Sequence, residues 1–597
     1  LRKVWNVGSK PLGDEMLDNG DFAAGVERWT LEAPAPAEGV MEVVDDPEHG
    51  RVLHATLSAL GTESWHFQIH QTGHTLEDGH LYTVSFRMRA DPPRTVNIGA
   101  RYDIADWRFV GLAEPVKADE QWRDFSFTFR AREPLAEHTR LSFNAQNQLG
   151  EVWLADVRLC SGGVMGLPEG ETLEGRNVSA PGSGHTRQAR LDWMGFFIEL
   201  ERRYTQGLYD FLKDELGVRA SVIDTQATYG GVGGLLRESR MDYIDTHAYW
   251  QHPRFPNRPW DGNDWYIPNT PMTSALGSDT LTRLSQYRLA GKPYTVSEYN
   301  HPAPNDYRAE CMPMLATFAA LQGWDGVFQF CYGTPPEDWS SAAINSYFRM
   351  DADPAKLAFF PIAANILRRG DVAPAPGALK LILPRDRVAD YLVDVRGGDM
   401  RELWRQQGIE ATAALTSRLS VEFGDVSEPS ALTGDRGDDP PPQVYWVTDE
   451  ANGGTFVVAG RQTVVLLGSI AGRTLGFPGM DINMGETGTG FAALALTSMD
   501  GEPLAESSRM LLVLMSGCEN QEMGWDAERT TVLRQWGHGP TICEGVPATV
   551  TFGDRPGLMA WALDGEGVRG ERIELEGDLG FEFGPRYRTV WYEIAME

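Results

Sequence analysis

The sequence predicts a multidomain protein of mixed class, α/β plus all-β, and three observations carry that reading. The first is length: 597 residues, at ~150 per domain, fill three or four hydrophobic cores rather than one. The second is apolar alternation of period two in two well-separated stretches. The third is a run of short apolar strands interleaved with helical segments between those stretches. A content of 42% hydrophobic and 23% charged residues excludes a disordered chain.

Taken in order, Leu1 to Gly8 reads as the tail of a helix, so residues 1–14 are expected to be a remnant of a helical layer. Residues 15–162 alternate, as in Leu81-Tyr-Thr-Val-Ser-Phe-Arg-Met-Arg89 and Phe125-Ser-Phe-Thr-Phe129, with Gly, Pro and Asp turns between; this predicts a β-sandwich. From Arg190 to Leu216 the spacing turns helical, with Phe196, Phe197, Leu200, Tyr204, Leu208 and Phe211 on one broad face. The sandwich therefore reads as an insertion between helical pieces.

Within residues 163–374, four strands are expected: Val218 to Thr225, Tyr243 to Tyr249, Tyr294 to Tyr299 and Gly326 to Tyr332. Helices are expected near Thr280 to Leu289, Arg308 to Leu321 and Pro354 to Arg369. Four β/α units are half of a (β/α)8 barrel, whose eight need ~250 residues. Residues 375–597 return to β patterning, ending in Tyr587-Arg-Thr-Val-Trp-Tyr-Glu-Ile594, and predict a C-terminal β-sandwich.

Charge narrows the partners. With 53 Lys+Arg against 84 Asp+Glu, the net charge is −31, which repels polyphosphate and disfavours nucleic acid, anionic membrane surfaces and acidic polysaccharides. Neutral glycans remain acceptable. Five cysteines without C-x-x-C spacing indicate neither a disulfide framework nor a zinc site. No run approaches the ~20 apolar residues of a membrane span. The sequence opens at Leu1 without a signal peptide, and its start is expected to be a processed or trimmed end.

The chemistry concentrates in Lys292-Pro-Tyr-Thr-Val-Ser-Glu-Tyr-Asn-His-Pro302, where a strand ends in a carboxylate, Glu298. The C-terminal ends of parallel barrel strands build active sites. On the preceding strand, alternation sends Asp245, His247 and Tyr249 to one face, and adjacent strand ends bring His247 or Tyr249 near Glu298. A tyrosine hydroxyl donating to a carboxylate favours its ionised, nucleophilic form, as covalent glycoside chemistry requires. Asp224, Asp245, Asp264 and Asp306 are the other acids on this portion considered for proton donation.

Strand ends reading His-x-Tyr, then Ser-Glu-Tyr-Asn, then Phe328-Gln-Phe-Cys-Tyr332 resemble the second half of a clan A glycoside hydrolase barrel. The resemblance implies Glu298 as nucleophile of a retaining hydrolase, Tyr249 or His247 as its neighbour, and Gln226, Tyr229, Trp250, Asn300, His301, Tyr332 and Trp339 along the sugar cleft. It implies a neutral β-linked polysaccharide or oligosaccharide as substrate, an extracellular or periplasmic location, and no redox cofactor or catalytic metal. The clan's acid/base glutamate, which ends its fourth strand after an Asn, has no counterpart here. The first four units are therefore expected outside this chain, either truncated or carried by a second polypeptide, with self-association as the other way to cover the exposed edges.

Met16-Leu-Asp-Asn-Gly-Asp-Phe22 with Trp29, Trp65-His-Phe-Gln-Ile-His-Gln71 and Val152-Trp-Leu-Ala-Asp-Val157 resemble the opening, middle and closing strands of a family 4/9 carbohydrate-binding module. Such modules are jelly rolls that stack sugars on aromatic rings and satisfy hydroxyls with amides. Trp65, Gln68, Gln71, Tyr102 and Trp107 are the candidates for this, Trp29 and Trp153 are assigned to the core, and Asp156 is a candidate ligand for the calcium such modules often hold. A non-catalytic glycan-binding protein on a degenerate barrel scaffold is the competing reading, and a transglycosylase would share the nucleophile.

Overall fold

The computed structural model describes residues 5, 8–145, 148–167, 170–181, 185–333, 342–424, 430–437, 443–449, 453–553, 555–575 and 580–597. The chain divides into two compact units, Leu1–Phe197 and Ile198–Glu597. Most of the Leu1 to Gly8 segment lies outside the described residues, and within it Trp5 is helical, as expected. Gly8 itself opens a short strand, Gly8–Lys10, antiparallel to Gly163–Met165. Glycine is a poor helix former, and Pro11 follows closely.

The first unit contains two antiparallel five-stranded sheets. In one, the order is Thr30–Glu32, Gln68–His74, Thr139–Asn144, Arg94–Tyr102, Phe109–Ala118; in the other, Glu38–Asp46, Gly50–Ala59, Gly150–Ser161, Leu81–Asp91, Arg123–Arg130. Alternation fills the space between them: Ile69, Val96, Ile98, Leu141 and Phe143 from the first meet Leu53, Val84, Phe86, Val152 and Leu154 from the second, all buried. Trp29 joins that core against Phe22, ring centroids 5.5 Å apart. Trp153 is buried too, but in a separate small cluster, stacked on His54 at 4.7 Å beneath the Arg89 guanidinium.

In the second unit, Ile244–Tyr249, Tyr294–Asn300 and Gly326–Gln329 pair in parallel, in that order. The sheet is open, not a closed barrel. The fourth expected strand, Val218 to Thr225, does not form. Its Val222 N–H goes to the Asp242 carboxylate at 2.8 Å and its Thr225 N–H to Glu238 Oε1 at 3.2 Å, so side-chain acceptors take donors a ladder would have used. The expected Pro354 to Arg369 helix is broken into Pro354–Leu357, Phe360–Asn365 and a wider turn Ile366–Gly370, because Pro361 cannot donate and restarts the helix. The helix after Glu298 runs Cys311–Gln322 and stops at Gly323, whose φ of 63° suits a residue without Cβ.

The two faces of this parallel sheet differ. Ile244, Ala248, Tyr294, Val296 and Tyr299 are buried in a core shared with helices Thr280–Ser285 and Cys311–Gln322. The opposite face carries Asp245, His247, Tyr249, Thr295 and Ser297, and near Tyr243, Thr295, Ser297 and Phe328 it opens on a depression of 390 Å³. Parallel sheets are ordinarily covered on both faces. The apolar stripe of helix Arg187–Asp210 is likewise uncovered: Phe196, Phe197, Leu200, Tyr204 and Leu208, with Phe211 beyond it, are 41–65% exposed.

The C-terminal region departs from a plain sandwich at its start. Gly377–Pro384 and Ser417–Gly424 are parallel, linked through helices Val388–Asp394 and Met400–Gln406, and Ala431–Asp435 adds an antiparallel strand. A sandwich follows: an eight-stranded sheet and a four-stranded sheet. The larger sheet is buried on both sides along Thr463–Gly468, where Val464 and Leu466 enter one core while Val465 and Leu467 enter the other.

Candidate functional site

The strand-end carboxylate is set by a register shift. Thr246 pairs with Val296, but the next partners are His247 and Glu298, so Ser297 is skipped. A bulge of this kind re-aims side chains, and here Ser297 and Glu298 both reach the residues of the open face. Asp245, fully buried, accepts from Thr295 Oγ1 at 2.5 Å, from Ser297 N at 3.0 Å and from Ser297 Oγ at 2.6 Å. His247 Nε2 lies 2.9 Å from Ser297 Oγ and 3.1 Å from Asp245 Oδ2, and Nδ1 lies 3.4 Å from Glu298 Oε2. Tyr249 Oη donates to the same Oε2 at 2.5 Å.

An imidazole bracketed by two carboxylates is favoured as imidazolium. Partial burial acts against the charge, but the Asp245 hydrogen bond and the Glu298 charge outweigh it and raise the His247 pKa. Burial and the hydrogen bond to Glu298 raise the Tyr249 phenol well above its ordinary value, so it remains a donor. Both contacts fall on Oε2, and among the described residues no donor is bonded to Oε1. One carboxylate oxygen is thus held by two neighbours and the other is not.

Tyr249 packs edge-on to Phe330 at 6.0 Å and against Phe348 at 5.1 Å, and Trp260, 62% exposed, lies 5.6 Å from His252. Phe330, Phe348 and His252 escaped the sequence reading. Phe330 alone had a signal, its place in the aromatic final strand.

The remaining strand-end candidates scatter. Asn300, fully buried, ties strand ends together by donating to Phe330 O and to Phe348 O. His301 is also buried, its Nε2 3.1 Å from Tyr299 Oη and its Nδ1 3.7 Å from Glu310. Both are buried behind the strand end rather than in a cleft, and among the described residues Asn300 Oδ1 and His301 Nδ1 have no hydrogen-bond partner there. Trp250 donates to Thr270 O at 2.9 Å. Gln226 accepts from Thr228, Tyr229 is 70% exposed, and Tyr332 lines an apolar groove of 700 Å³ beside the Gly326–Gln329 edge with Val327, Phe328 and Phe360. Trp339 lies outside the described residues. Of the other acids, Asp224 pairs with Arg237 at 2.6 Å and Asp306 with Arg529 at 2.7 Å, while Asp264 accepts from Asn257.

In the first unit, the sheet running from Thr30–Glu32 to Phe109–Ala118 presents Glu32, Gln68, His70, Arg101 and Arg140 on the face turned from the core. Trp65, Trp107 and Phe109 are 40–50% exposed beside it. Gln68 is buried and donates to Trp65 O at 2.8 Å. Arg140 Cζ stands 5.1 Å from the Trp107 ring and Arg101 Cζ 5.9 Å from Phe109. Gln71 and Tyr102 take other places than expected. Gln71 grips the Asp18 backbone with both amide atoms, at 3.0 and 2.8 Å, and Tyr102 sits in the core with its hydroxyl on Glu133 O. Asp156 pairs with Arg87 at 2.8 Å, and among the described residues no three His, Cys, Asp or Glu side chains group to hold a metal.

Comparison with known proteins bears on this sandwich. Residues 14–150 match the CBM_4_9 family model, described as a carbohydrate binding domain. This segment is supported as a family 4/9 carbohydrate-binding module, and its fold is a β-sandwich. Among solved structures, one described as "CBM4 structure and function" is 24% identical and covers 24% of this chain and 98% of its own, with a TM-score of 0.22. The second N-terminal cellulose-binding domain of Cellulomonas fimi β-1,4-glucanase C is 14% identical over 26% of this chain and 99% of its own, TM-score 0.21. The CBM22-1 xylan-binding domain of Paenibacillus barcinonensis Xyn10C is 13% identical over 26% and 99%, TM-score 0.21. No curated protein matches the chain.

Proposed function

We propose that this chain is the greater part of a retaining glycoside hydrolase of β-linked polysaccharide. Its parallel sheet would be the second half of a (β/α)8 barrel, and its first unit would hold the polymer. The observation that carries the reading is the bulge at Ser297, which gathers Glu298, Tyr249 and His247 at strand C-termini, where barrel enzymes do their chemistry. The open sheet face and the uncovered helix stripe support the remaining half, on a longer or second polypeptide, as their cover.

In this reading Glu298 Oε1 attacks the anomeric carbon as the glycosidic oxygen leaves with a proton from the second carboxyl group. Water then displaces Glu298, giving up its proton to that same group. Tyr249 and His247 hold Oε2 and orient the attack. Asp245 is too fully committed to Thr295, Ser297 and His247 to be the acid, so the acid/base is assigned outside the described residues. The chemistry needs no metal or redox cofactor, and a polysaccharide substrate implies an extracellular or periplasmic setting.

The test is reducing-end release from a panel of β-linked polysaccharides, by this chain alone and together with any polypeptide that completes the barrel. Wild type and Glu298→Gln are compared, with affinity electrophoresis run in parallel. Loss of release with retained binding upholds the nucleophile. Release undiminished in the variant removes it, and binding without release by any form leaves a glycan-binding protein on a degenerate scaffold.

A further inference from the structure

Arg101 and Arg140 are register partners on neighbouring strands, so two like charges stand directly opposite, an arrangement that destabilises a sheet. Both guanidiniums donate to one neutral atom, Gln68 Oε1, Arg140 at 2.9 Å. Among the described residues the one carboxylate bonded to either is Glu32, 3.1 Å from Arg140 and also 3.6 Å from His70. Each guanidinium keeps a buried Nε–H without an acceptor. Burial and the two arginines hold the His70 pKa down at about 4, so the imidazole adds no charge at neutral pH. Beside Arg101 lies a 190 Å³ hollow lined by Asn97, Phe109, Glu114, Ser142 and Asn144, whose amides and hydroxyl suit sugar hydroxyls.

We propose that this cleft takes a glycan carrying an anionic substituent, a uronate carboxylate or a sulfate ester, which bridges Arg101 and Arg140 while its ring lies against Trp107 or Phe109. The proposal rests on the reading of the sandwich as carbohydrate-binding and narrows its ligand. Bidentate guanidinium forks match carboxylate and sulfate geometry. The overall charge of −31 disfavours acidic glycans at long range, but distant surface charges are screened over ~8 Å at physiological ionic strength, so the local field is set by Arg101 and Arg140 against Glu32 and Glu114.

The test is calorimetric titration of the whole chain with matched acidic and neutral pairs: β-1,4-glucuronan and cellulose tetrasaccharides, β-1,4-mannuronan and mannan tetrasaccharides, and a sulfated and an unsulfated galactan oligosaccharide. In at least one pair the acidic member is expected to bind at least tenfold more tightly, with affinity falling as salt rises. The first two pairs against the third separate carboxylate from sulfate. Arg101→Gln and Arg140→Gln are expected to abolish the acidic preference. Should Arg140→Gln fail to fold, Arg101→Gln, at a less buried position, carries the test, and its melting temperature is expected to rise as the opposed charges part. Neutral sugars binding as tightly as acidic ones, or an acidic preference indifferent to Arg101→Gln, overturns the proposal and leaves the carbohydrate-binding reading standing. Binding of no sugar in the panel overturns both.

Discussion

Two polar sites in this molecule solve opposite electrostatic problems. At the ends of the parallel strands a single imidazole lies between the carboxylates of Asp245 and Glu298, so every charge has a neighbour of the other sign. On the outer face of the N-terminal sandwich, two guanidiniums share a neutral amide, and Arg140 alone is bonded to a glutamate. The first site balances opposite charges within itself; the second gathers two like charges with one carboxylate. The first arrangement thus settles its own charges, whereas the second leaves two buried Nε–H donors without acceptors among the described residues.

The comparison breaks most readily at Tyr249. If its hydroxyl positions Glu298, Tyr249→Phe removes a charged hydrogen bond and should lower kcat roughly 10²-fold, with binding of polymer by the sandwich unchanged. Asp245→Asn acts one step further away. Loss of its charge should cost turnover about tenfold and bring the His247 titration, followed by NMR, back toward 6.5.

Smaller effects sharpen the contrast within the sandwich. Gln71→Ala should destabilise the fold by about 1–3 kcal/mol, since the Asp18 N–H and C=O lose their partners, and leave glycan affinity alone. Trp107→Ala should do the reverse: binding weakened several-fold, with unfolding free energy changed by less than ~0.5 kcal/mol. Urea melts of the two variants beside titrations decide this.

The two histidines predict pH slopes of opposite sign. His247 has a folded pKa above its unfolded 6.5, so its contribution to stability is complete below pH 6.5 and fades as pH rises through the folded value. His70, near 4 when folded, contributes above 6.5 and loses that contribution as pH falls from 6.5 toward 4. Replacing either by Gln should flatten only its own limb of the stability profile.

Much of this was legible in the sequence. Period-two alternation located the sandwich, and the apolar run ending in Glu298 located the strand whose end carries the site. The same alternation already separated Gln68 from Gln71 and Arg101 from Tyr102, since residues an odd number apart face opposite sides of a strand. Aromatic and amide identity drew attention to Gln71 and Tyr102 in spite of it. The bulge at Ser297 was not legible, because a register shift depends on the partner strand. The arginine pair was hidden for the same reason: Arg101 and Arg140 are 39 residues apart in the chain and meet only through pairing. The uncovered stripe of helix Arg187–Asp210 shows the limit of periodicity, which marks an apolar face without saying what covers it.

The doubly buried strand Thr463–Gly468 has a consequence for dissection. Its odd and even side chains anchor different cores, so neither core can melt without stripping one side of the other's wall. Residues 198–597 should therefore lose structure in a single cooperative transition. A truncation placed near residue 375 to isolate Glu298 would yield an aggregating fragment, and dissection should instead cut on the N-terminal side of residue 198.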